Sequence, residues 1–230
     1  MAKILVIIAV LVGTVIWAGI QQGAMARALR RSSRPLQHDQ LNRLIERLAL
    51  AAGIERVEVR VMEQPMINGL ATADGGVYLT TGLVDQYRAG RVTAPEIASV
   101  VAHELGHVAL GHLHQRRLMA PLMVITNSAL IAGLLRFLPL LAGLVAPLVL
   151  RLIASRLSRK GEFEADAYAT ALMMRAGLGA GPQAAMLEKL PRLMPDIGFG
   201  AQVSWLSSHP PVEERVAAIR DNAARWAASA

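Results

Sequence analysis

The sequence contains no cysteine. Disulfide bonds and thiolate zinc ligands are therefore excluded, and any metal site has to be built from histidine and carboxylate side chains. Aromatic residues are also scarce, at 4% of 230 residues, and charged residues make up only 18%, whereas 53% of the chain is hydrophobic. Such an apolar composition is unusual for a soluble protein of this length and indicates contact with a membrane.

Acidic residues are fewer than basic ones, which leaves a formal net charge of +7. A nucleic-acid-binding protein would carry its basic residues on one patterned face with aromatic residues between them, and this sequence has no such pattern. The basic residues instead cluster after two apolar runs, at Arg27, Arg30, Arg31 and Arg34 and at Arg151, Arg156, Arg159 and Lys160. We therefore expect membrane lipids with anionic headgroups, and no nucleic acid, as binding partners.

The first apolar run covers residues 4–20. It predicts a membrane anchor over residues 1–26, with a cleaved signal peptide as the alternative, because Ala24-Met25-Ala26 resembles a cleavage site. The run is longer than the apolar core of about 7–15 residues that signal peptides have, which favours the anchor. The arginines after the run favour a bacterial-type inner membrane with the following domain on its cytoplasmic side, whereas cleavage would place that domain on the exported side.

The second apolar run covers residues 118–150 and is interrupted by Arg136. It predicts an apolar, membrane-associated helical hairpin at residues 118–157, inserted into a domain of residues 27–230. The second helix of this hairpin has about 14 apolar residues, fewer than the roughly 20 that a crossing needs. A hairpin that crosses the bilayer and one that lies in it both remain open.

The remaining patterns predict an α+β fold that is mainly helical. Apolar residues at helical spacing predict a helix at Asp39–Ala52, and alternating apolar and charged residues at 57–61 predict a strand. Two further strands flank Asp74-Gly75-Gly76, a composition typical of a hairpin turn. We therefore expect a small antiparallel sheet, whose edge at residues 68–73 is a candidate for binding an extended substrate through main-chain hydrogen bonds.

The pattern HExxH occurs at His103, Glu104 and His107. Side chains four residues apart lie on the same face of a helix, so the two imidazoles could bind one metal ion while Glu104 reaches a water beside it. The preceding Thr93-Ala94-Pro95-Glu96 is a capping box with proline in the first turn, and an apolar helical stripe follows it. The sequence thus predicts the helix that such a metal site requires.

A catalytic zinc ion usually has three protein ligands, so a third ligand is expected elsewhere. His112 and His114 do not fit the longer pattern HExxHxxGxxH, and we interpret both as end-of-helix or surface residues. A helix predicted to begin at Gly161 offers a better candidate, because Glu162 and Asp166 share one of its faces. Glu162 could bind the metal while Asp166 accepts a hydrogen bond from a ligand imidazole. On spacing alone, a solvated acidic face remains the alternative.

Four segments between residues 57 and 219 form a combined pattern: Asn68-Gly69-Leu70-Ala71 with residues 77–83, residues 101–112, residues 158–166, and Ser208-His209-Pro210-Pro211 with Arg215. Together they resemble the HtpX-like family of membrane-linked zinc metalloproteases, which includes the CAAX prenyl proteases. The resemblance implies a gluzincin-type metalloprotease domain. In such a domain His103, His107 and Glu162 would bind one zinc ion per chain, Glu104 would be the general base, and Asp166 would support a ligand from behind.

The resemblance also implies residues of the substrate cleft. His209 and Arg215 would lie there and could steady the tetrahedral intermediate or gate the open zinc position. The residues that bind substrate would be Asn68, Gly69, Leu70 and Ala71. We expect a membrane-anchored zinc endopeptidase that cleaves unfolded or membrane-associated polypeptides in quality control. The alternative is a catalytically silent, zinc-stabilised scaffold or chaperone-like protein, although such a protein has no use for the base Glu104.

Overall fold

The structure of the protein is a computed structural model that describes residues 2–115, 139–193 and 210–228, with six further positions between 116 and 138. The described helices are α1 (Ala2–Ser32), α2 (Asp39–Ala52), α3 (Thr81–Arg88), α4 (Ala94–Ala109), α5 (Pro139–Arg175), α6 (Gly181–Leu193) and α7 (Val212–Ala228). The described strands are β1 (Ser33–Pro35), β2 (Val59–Met62), β3 (Gly69–Ala71) and β4 (Val77–Thr80). The prediction of a mainly helical α+β fold is confirmed.

The four strands form one mixed sheet in the order β1-β2-β4-β3. The prediction of an antiparallel sheet is therefore wrong for one pair, because β2 and β4 run parallel, whereas β1 with β2 and β3 with β4 are antiparallel. The chain reverses direction after β2 and again at the turn around Gly75, so β4 has the direction of β2. Because β4 lies between β2 and β3, it pairs with β2, which runs in the same direction. The predicted hairpin of β3 and β4 is present.

Helix α4 lies at the centre of the fold and contacts α2, α5, α6, β3 and β4. The predicted capping box begins it, with the Thr93 amide donating to Glu96 Oε2 at 2.7 Å. Glu96 is buried, and the ammonium of Lys189 on α6 lies 2.7 Å from its other carboxylate oxygen. Ile97, Val101 and Leu105 continue the buried stripe of α4 towards α2 and the sheet. The start of α4 is thereby tied to α6.

Helices α1 and α5 are longer than the sequence predicts. Helix α1 continues beyond the apolar run to Ser32, and Gly161 lies inside α5 instead of opening a separate helix. In the described part of the chain, no helix combines the length and the apolar content that a membrane crossing requires. Most of residues 118–138, which form the first half and the bend of the predicted hairpin, lie outside the described residues.

Candidate metal centre

The candidate metal centre consists of His103 and His107 on α4 and Glu162 on α5. The Nε2 atoms of the two histidines lie 3.2 Å apart, and each lies 3.4 Å from an oxygen of the Glu162 carboxylate. Around a tetrahedral zinc ion with bonds of about 2.0–2.1 Å, neighbouring donor atoms are about 3.3 Å apart. The residues present therefore fit a metal ion held by two imidazole nitrogens and a carboxylate, and the structure brings the three predicted ligands together.

Glycine at position 106 allows α5 to approach α4 closely enough for Glu162 to reach the histidines. A Cβ atom at Gly106 would lie 2.9 Å from the carbonyl oxygen of Ala165, closer than side-chain carbons come to backbone oxygens in proteins. Glu162 lies almost one turn before Ala165 and is 2% exposed. The absence of a side chain at Gly106 thus determines where the third ligand lies.

Behind His103 lies a buried set of residues that we call the inner network: Asp166, Arg215 and Gln183. Asp166 Oδ1 lies 2.9 Å from His103 Nδ1, and Arg215 donates to both oxygens of Asp166 at 2.7 and 2.8 Å. Gln183 Nε2 donates to the Asp166 carbonyl at 3.1 Å. Asp166 thus lies where an imidazole ligand needs an acceptor, as the sequence predicts.

The inner network also shifts the pKa values of His103 and Asp166. Burial alone lowers the pKa of His103, but hydrogen bonds to Asp166 and Glu162 outweigh burial and raise the pKa to about 9. Burial alone would raise the pKa of Asp166, yet Arg215 and His103 hold it below its usual range. Without a metal, the His103 ring is therefore protonated on both nitrogens at neutral pH. A metal that binds Nε2 must displace the proton on that nitrogen.

Behind His107 lies a second set of residues that we call the outer network: His112, Glu164 and Lys160. His107 Nδ1 lies 2.9 Å from His112 Nδ1, and His112 Nε2 lies 3.1 Å from Glu164 Oε2. Lys160 approaches the other oxygen of Glu164 at 3.5 Å. The side chains of Glu164 and Lys160 are 45% and 74% exposed, so this network ends in solvent.

The interpretation of His112 as a surface residue is wrong, because His112 is only 6% exposed. Helix α4 ends at Ala109, and Gly111 adopts φ +69°. The left-handed residue turns the chain and brings His112 back against His107. A glycine directly before His112 was the signal in the sequence. Position 114, in contrast, is exposed.

The cleft at the metal centre is bordered by Glu104 and by Asn68 and Gly69 of the predicted substrate edge, and its volume is about 100 Å³. Strand β3 is an edge strand of the sheet. A Cβ atom at Gly69 would lie 2.8 Å from Val100 Cγ1 and 3.6 Å from Glu104 Oε1, so only the bare backbone of β3 fits this close to α4. The predicted base and the predicted substrate edge are thus neighbours.

The two cleft residues predicted near the end of the chain, His209 and Arg215, have different outcomes. His209 lies outside the described residues. Arg215 borders the cleft, and its guanidinium is directed at Asp166 and approaches Glu162 at 3.6 Å. Arg215 thus contacts the carboxylates of Asp166 and Glu162, while its predicted role towards a reaction intermediate stays a prediction. Gln183, which no sequence pattern indicated, is an additional member of the site.

Comparison with known proteins identifies the family. The sequence profile of peptidase family M48 matches residues 35–223, which include every predicted site residue. The chain belongs to peptidase family M48. It is 31% identical to the metalloprotease LoiP of Escherichia coli (strain K12) over 173 residues, which cover 72% of this chain and 62% of LoiP. It is 30% identical to the protease HtpX of Pseudomonas putida over 220 residues, which cover 80% of this chain and 72% of HtpX. The predicted HtpX-like affiliation is confirmed.

The fold of this M48 chain is also similar to a solved structure, that of S. mikatae Ste24p. The TM-score is 0.61 at 22% identity, over 90% of this chain and 56% of Ste24p. At this identity the likeness concerns the fold alone. The chain thus spans little more than half the length of Ste24p and 62% of that of LoiP.

Proposed function

We propose that this M48 chain is a zinc-dependent endopeptidase, anchored in a membrane by α1, that hydrolyses unfolded or membrane-associated polypeptides in protein quality control. The observation that carries the proposal is the meeting of three donor side chains, whose ligand atoms all lie within 4.8 Å of one another, with Glu104 at the same cleft. Two imidazoles and one carboxylate are a ligand set of catalytic zinc sites, which keep a further position open.

Each residue of the site has a defined task in peptide hydrolysis. His103, His107 and Glu162 hold the zinc ion, which supplies Lewis acidity when bound. Glu104 accepts a proton from the attacking water as the C–O bond forms, and then delivers this proton to the leaving amine as the peptide C–N bond breaks. Asp166 keeps the proton of His103 on Nδ1, which leaves Nε2 available as a ligand.

The neighbourhood of the cleft supports a polypeptide substrate. A strand that pairs with the open edge of β3 is held by main-chain hydrogen bonds, which do not depend on its sequence. Because Gly69 packs against Val100 and Glu104, such a strand passes close to the base. Apolar side chains of α6 border the cleft at Met186, Leu187 and Leu190. An apolar cleft favours substrates that present apolar side chains, as unfolded and membrane proteins do.

The exposed apolar side chains of two helices support the membrane anchor. On α1, Ile16, Trp17 and Ile20 are each more than half exposed, and on α5 Leu148 and Val149 are exposed as well. Basic residues follow both apolar stretches, where anionic headgroups would lie. We place the catalytic domain on the cytoplasmic side of a bacterial-type inner membrane, with the exported side as the alternative.

The activity is tested with Glu104→Gln in the full chain. We expect the variant to retain about one zinc ion per chain and to lose cleavage of casein, because an amide cannot accept the proton of the attacking water. Glu46→Gln, at an exposed position of α2, is the matched control and should retain both properties. Cleavage by Glu104→Gln at the wild-type rate would contradict the assignment of the base. A wild-type protein that binds zinc without cleaving casein would favour the silent scaffold.

The anchor is tested by fractionation and mass spectrometry of the expressed full chain. We expect the protein to resist alkaline extraction from membranes and to retain residues 1–26. A mature protein that begins at Arg27 would show that these residues are a signal peptide and would move the protease to the exported side.

A further inference from the structure

We propose that His112 is a positioning residue, which holds the imidazole of His107 in the tautomer and the orientation in which Nε2 faces the metal. This inference rests on the metal centre of the proposed function and adds a residue that neither HExxH nor the third-ligand segment contains. The observations are the two hydrogen bonds of the His112 ring, its burial, and the turn that places it.

The direction of the hydrogen bonds follows from the chemistry of a metal ligand. A neutral imidazole that binds a metal through Nε2 carries its proton on Nδ1. His107 Nδ1 therefore donates to His112 Nδ1, which lies 2.9 Å away. His112 then has its own proton on Nε2, and this proton is donated to Glu164 Oε2 at 3.1 Å. One arrangement of protons thus satisfies the whole chain from the ligand to the carboxylate.

The position of the ring distinguishes support from metal binding. His112 contacts Nδ1 of His107, whereas the atom of His107 that faces His103 and Glu162 is Nε2, on the opposite side of the ring. His112 therefore lies behind a ligand and is not itself one. The same relation exists on the other side of the site, where Asp166 contacts Nδ1 of His103.

The local structure is built to hold this ring. Gly111 turns the chain after α4, and His112 then lies between the end of α4 and the stretch of α5 that carries Gly161 and Glu164. A Cβ atom at Gly161 would lie 3.7 Å from the ring, an ordinary contact distance, so α5 lies directly against it. A histidine that served only as a polar surface residue would be exposed, whereas His112 is only 6% exposed.

The test compares two substitutions that differ in one hydrogen-bonding atom. His112→Asn can place an acceptor oxygen near the position of Nδ1, whereas His112→Leu has a similar size and no acceptor. His114→Leu, at an exposed position of the same turn, is the control. Zinc affinity is measured in the full chain by competition with a chelator, and the cobalt-substituted protein gives a visible spectrum that reports the geometry of the ligands.

We expect His112→Leu to weaken zinc binding about 10-fold to 100-fold, the usual effect of removing a partner behind a metal ligand. The cobalt spectrum should change with it. His112→Asn and His114→Leu should bind zinc within about threefold of the wild type, because both leave the acceptor for His107 in place. Glu164→Leu, at a side chain that is 45% exposed, should weaken binding less than His112→Leu and more than His114→Leu.

Three results would overturn the inference. Equal zinc affinity for His112→Leu and His114→Leu would show that the contact has no effect. An equal loss in His112→Leu and His112→Asn would show that ring packing matters and the acceptor does not. If His112→Leu fails to fold, Glu164→Leu replaces it in the test, and a wild-type zinc affinity of Glu164→Leu would overturn the inference. A wild-type chain that binds no zinc would instead refute the proposed function itself.

Discussion

His103 and His107 lie one turn apart on α4 and face the same centre, but the structure supports them differently. In the inner network His103 contacts the buried carboxylate of Asp166, which accepts two hydrogen bonds from buried Arg215. The outer network holds His107 through a second histidine, whose carboxylate partner and lysine extend into solvent. One ligand is therefore part of the core, and the other is connected to the surface.

This difference has an energetic meaning. A buried ion pair is costly to break, because removal of one partner leaves the other charge without compensation in a medium of low polarity. An exposed ion pair contributes only about 0–1 kcal/mol, since water solvates both partners equally well after separation. We therefore expect the inner network to couple the metal site to folding, and the outer network to contribute little to the free energy of unfolding.

The largest effect is expected for Arg215→Met. In the metal-free protein this substitution leaves the two buried carboxylates of Asp166 and Glu162 with protonated His103 as a single cation beside them, and the free energy of unfolding should fall by about 3–5 kcal/mol. Chemical denaturation in the presence of a chelator measures it. Arg220→Met on the same helix removes an exposed arginine that pairs with Glu188 at 2.8 Å, and should cost at most about 1 kcal/mol. Equal losses in the two variants would remove the distinction between buried and exposed support.

Gly106→Ala tests whether both networks depend on the close packing of α5 against α4. Glu162, Glu164 and Asp166 all belong to α5, so a methyl group that pushes α5 away from α4 should disturb both networks together. Overpacking of this kind costs about 1–3 kcal/mol, and zinc affinity should fall with it. Gly161→Ala is the control, because its methyl group has room beside His112 and should leave both quantities unchanged or raise stability. Wild-type zinc affinity in Gly106→Ala would mean that α5 can shift without moving the ligands.

A direct contrast between the networks comes from Asp166→Asn and Glu164→Gln, which replace a carboxylate by an amide of the same shape. Asp166→Asn should weaken zinc binding about 10-fold to 100-fold, because His103 loses a charged acceptor. Glu164→Gln should weaken it only about threefold, since an amide oxygen can still accept from His112 and the charge is already partly solvated. Chelator competition measures both, with circular dichroism as the check on folding. The reverse order would make the outer network the stronger support.

The smallest effect is expected for Lys160→Met, at the exposed end of the outer network. Its ammonium lies 3.5 Å from Glu164 and is mostly solvated, so we expect a change of at most about 0.5 kcal/mol in the free energy of unfolding and an unchanged zinc affinity. Thermal or chemical denaturation measures the first quantity and chelator competition the second. A tenfold loss of affinity would show that this charge supports His107 from the surface.

Local patterns explain why much of the site could be predicted from the sequence. The two histidines, and likewise Glu162 and Asp166, have the four-residue spacing that places side chains on one helical face whatever surrounds the helix. The capping box of α4 is equally local, since Thr93 and Glu96 satisfy each other within one turn. Such features need no knowledge of which elements pack together.

Features that depend on packing between distant segments could not be predicted in this way. The parallel pairing of β2 with β4 follows from the insertion of β4 between two earlier strands, which no spacing within a strand reveals. Gln183 reaches Asp166 only because α6 packs beside α5, and its neighbours in the sequence show no pattern. The contact of His112 is an intermediate case, because Gly111 indicated the end of α4 but not the partner that the turn would reach.

Helix α5 joins two regions that the sequence suggested were separate. It is 37 residues long and continues from Pro139, through Pro147, to the carboxylates of the metal centre. Proline 147 removes one backbone hydrogen bond and gives the helix a point at which it can bend. Glu162 lies about 22 Å beyond that point, so a swing of only about 3° would displace its carboxylate by about 1 Å. Because α5 is continuous from Pro147 to Glu162, the distance between the third ligand and the two histidines depends on the angle of α5 at Pro147.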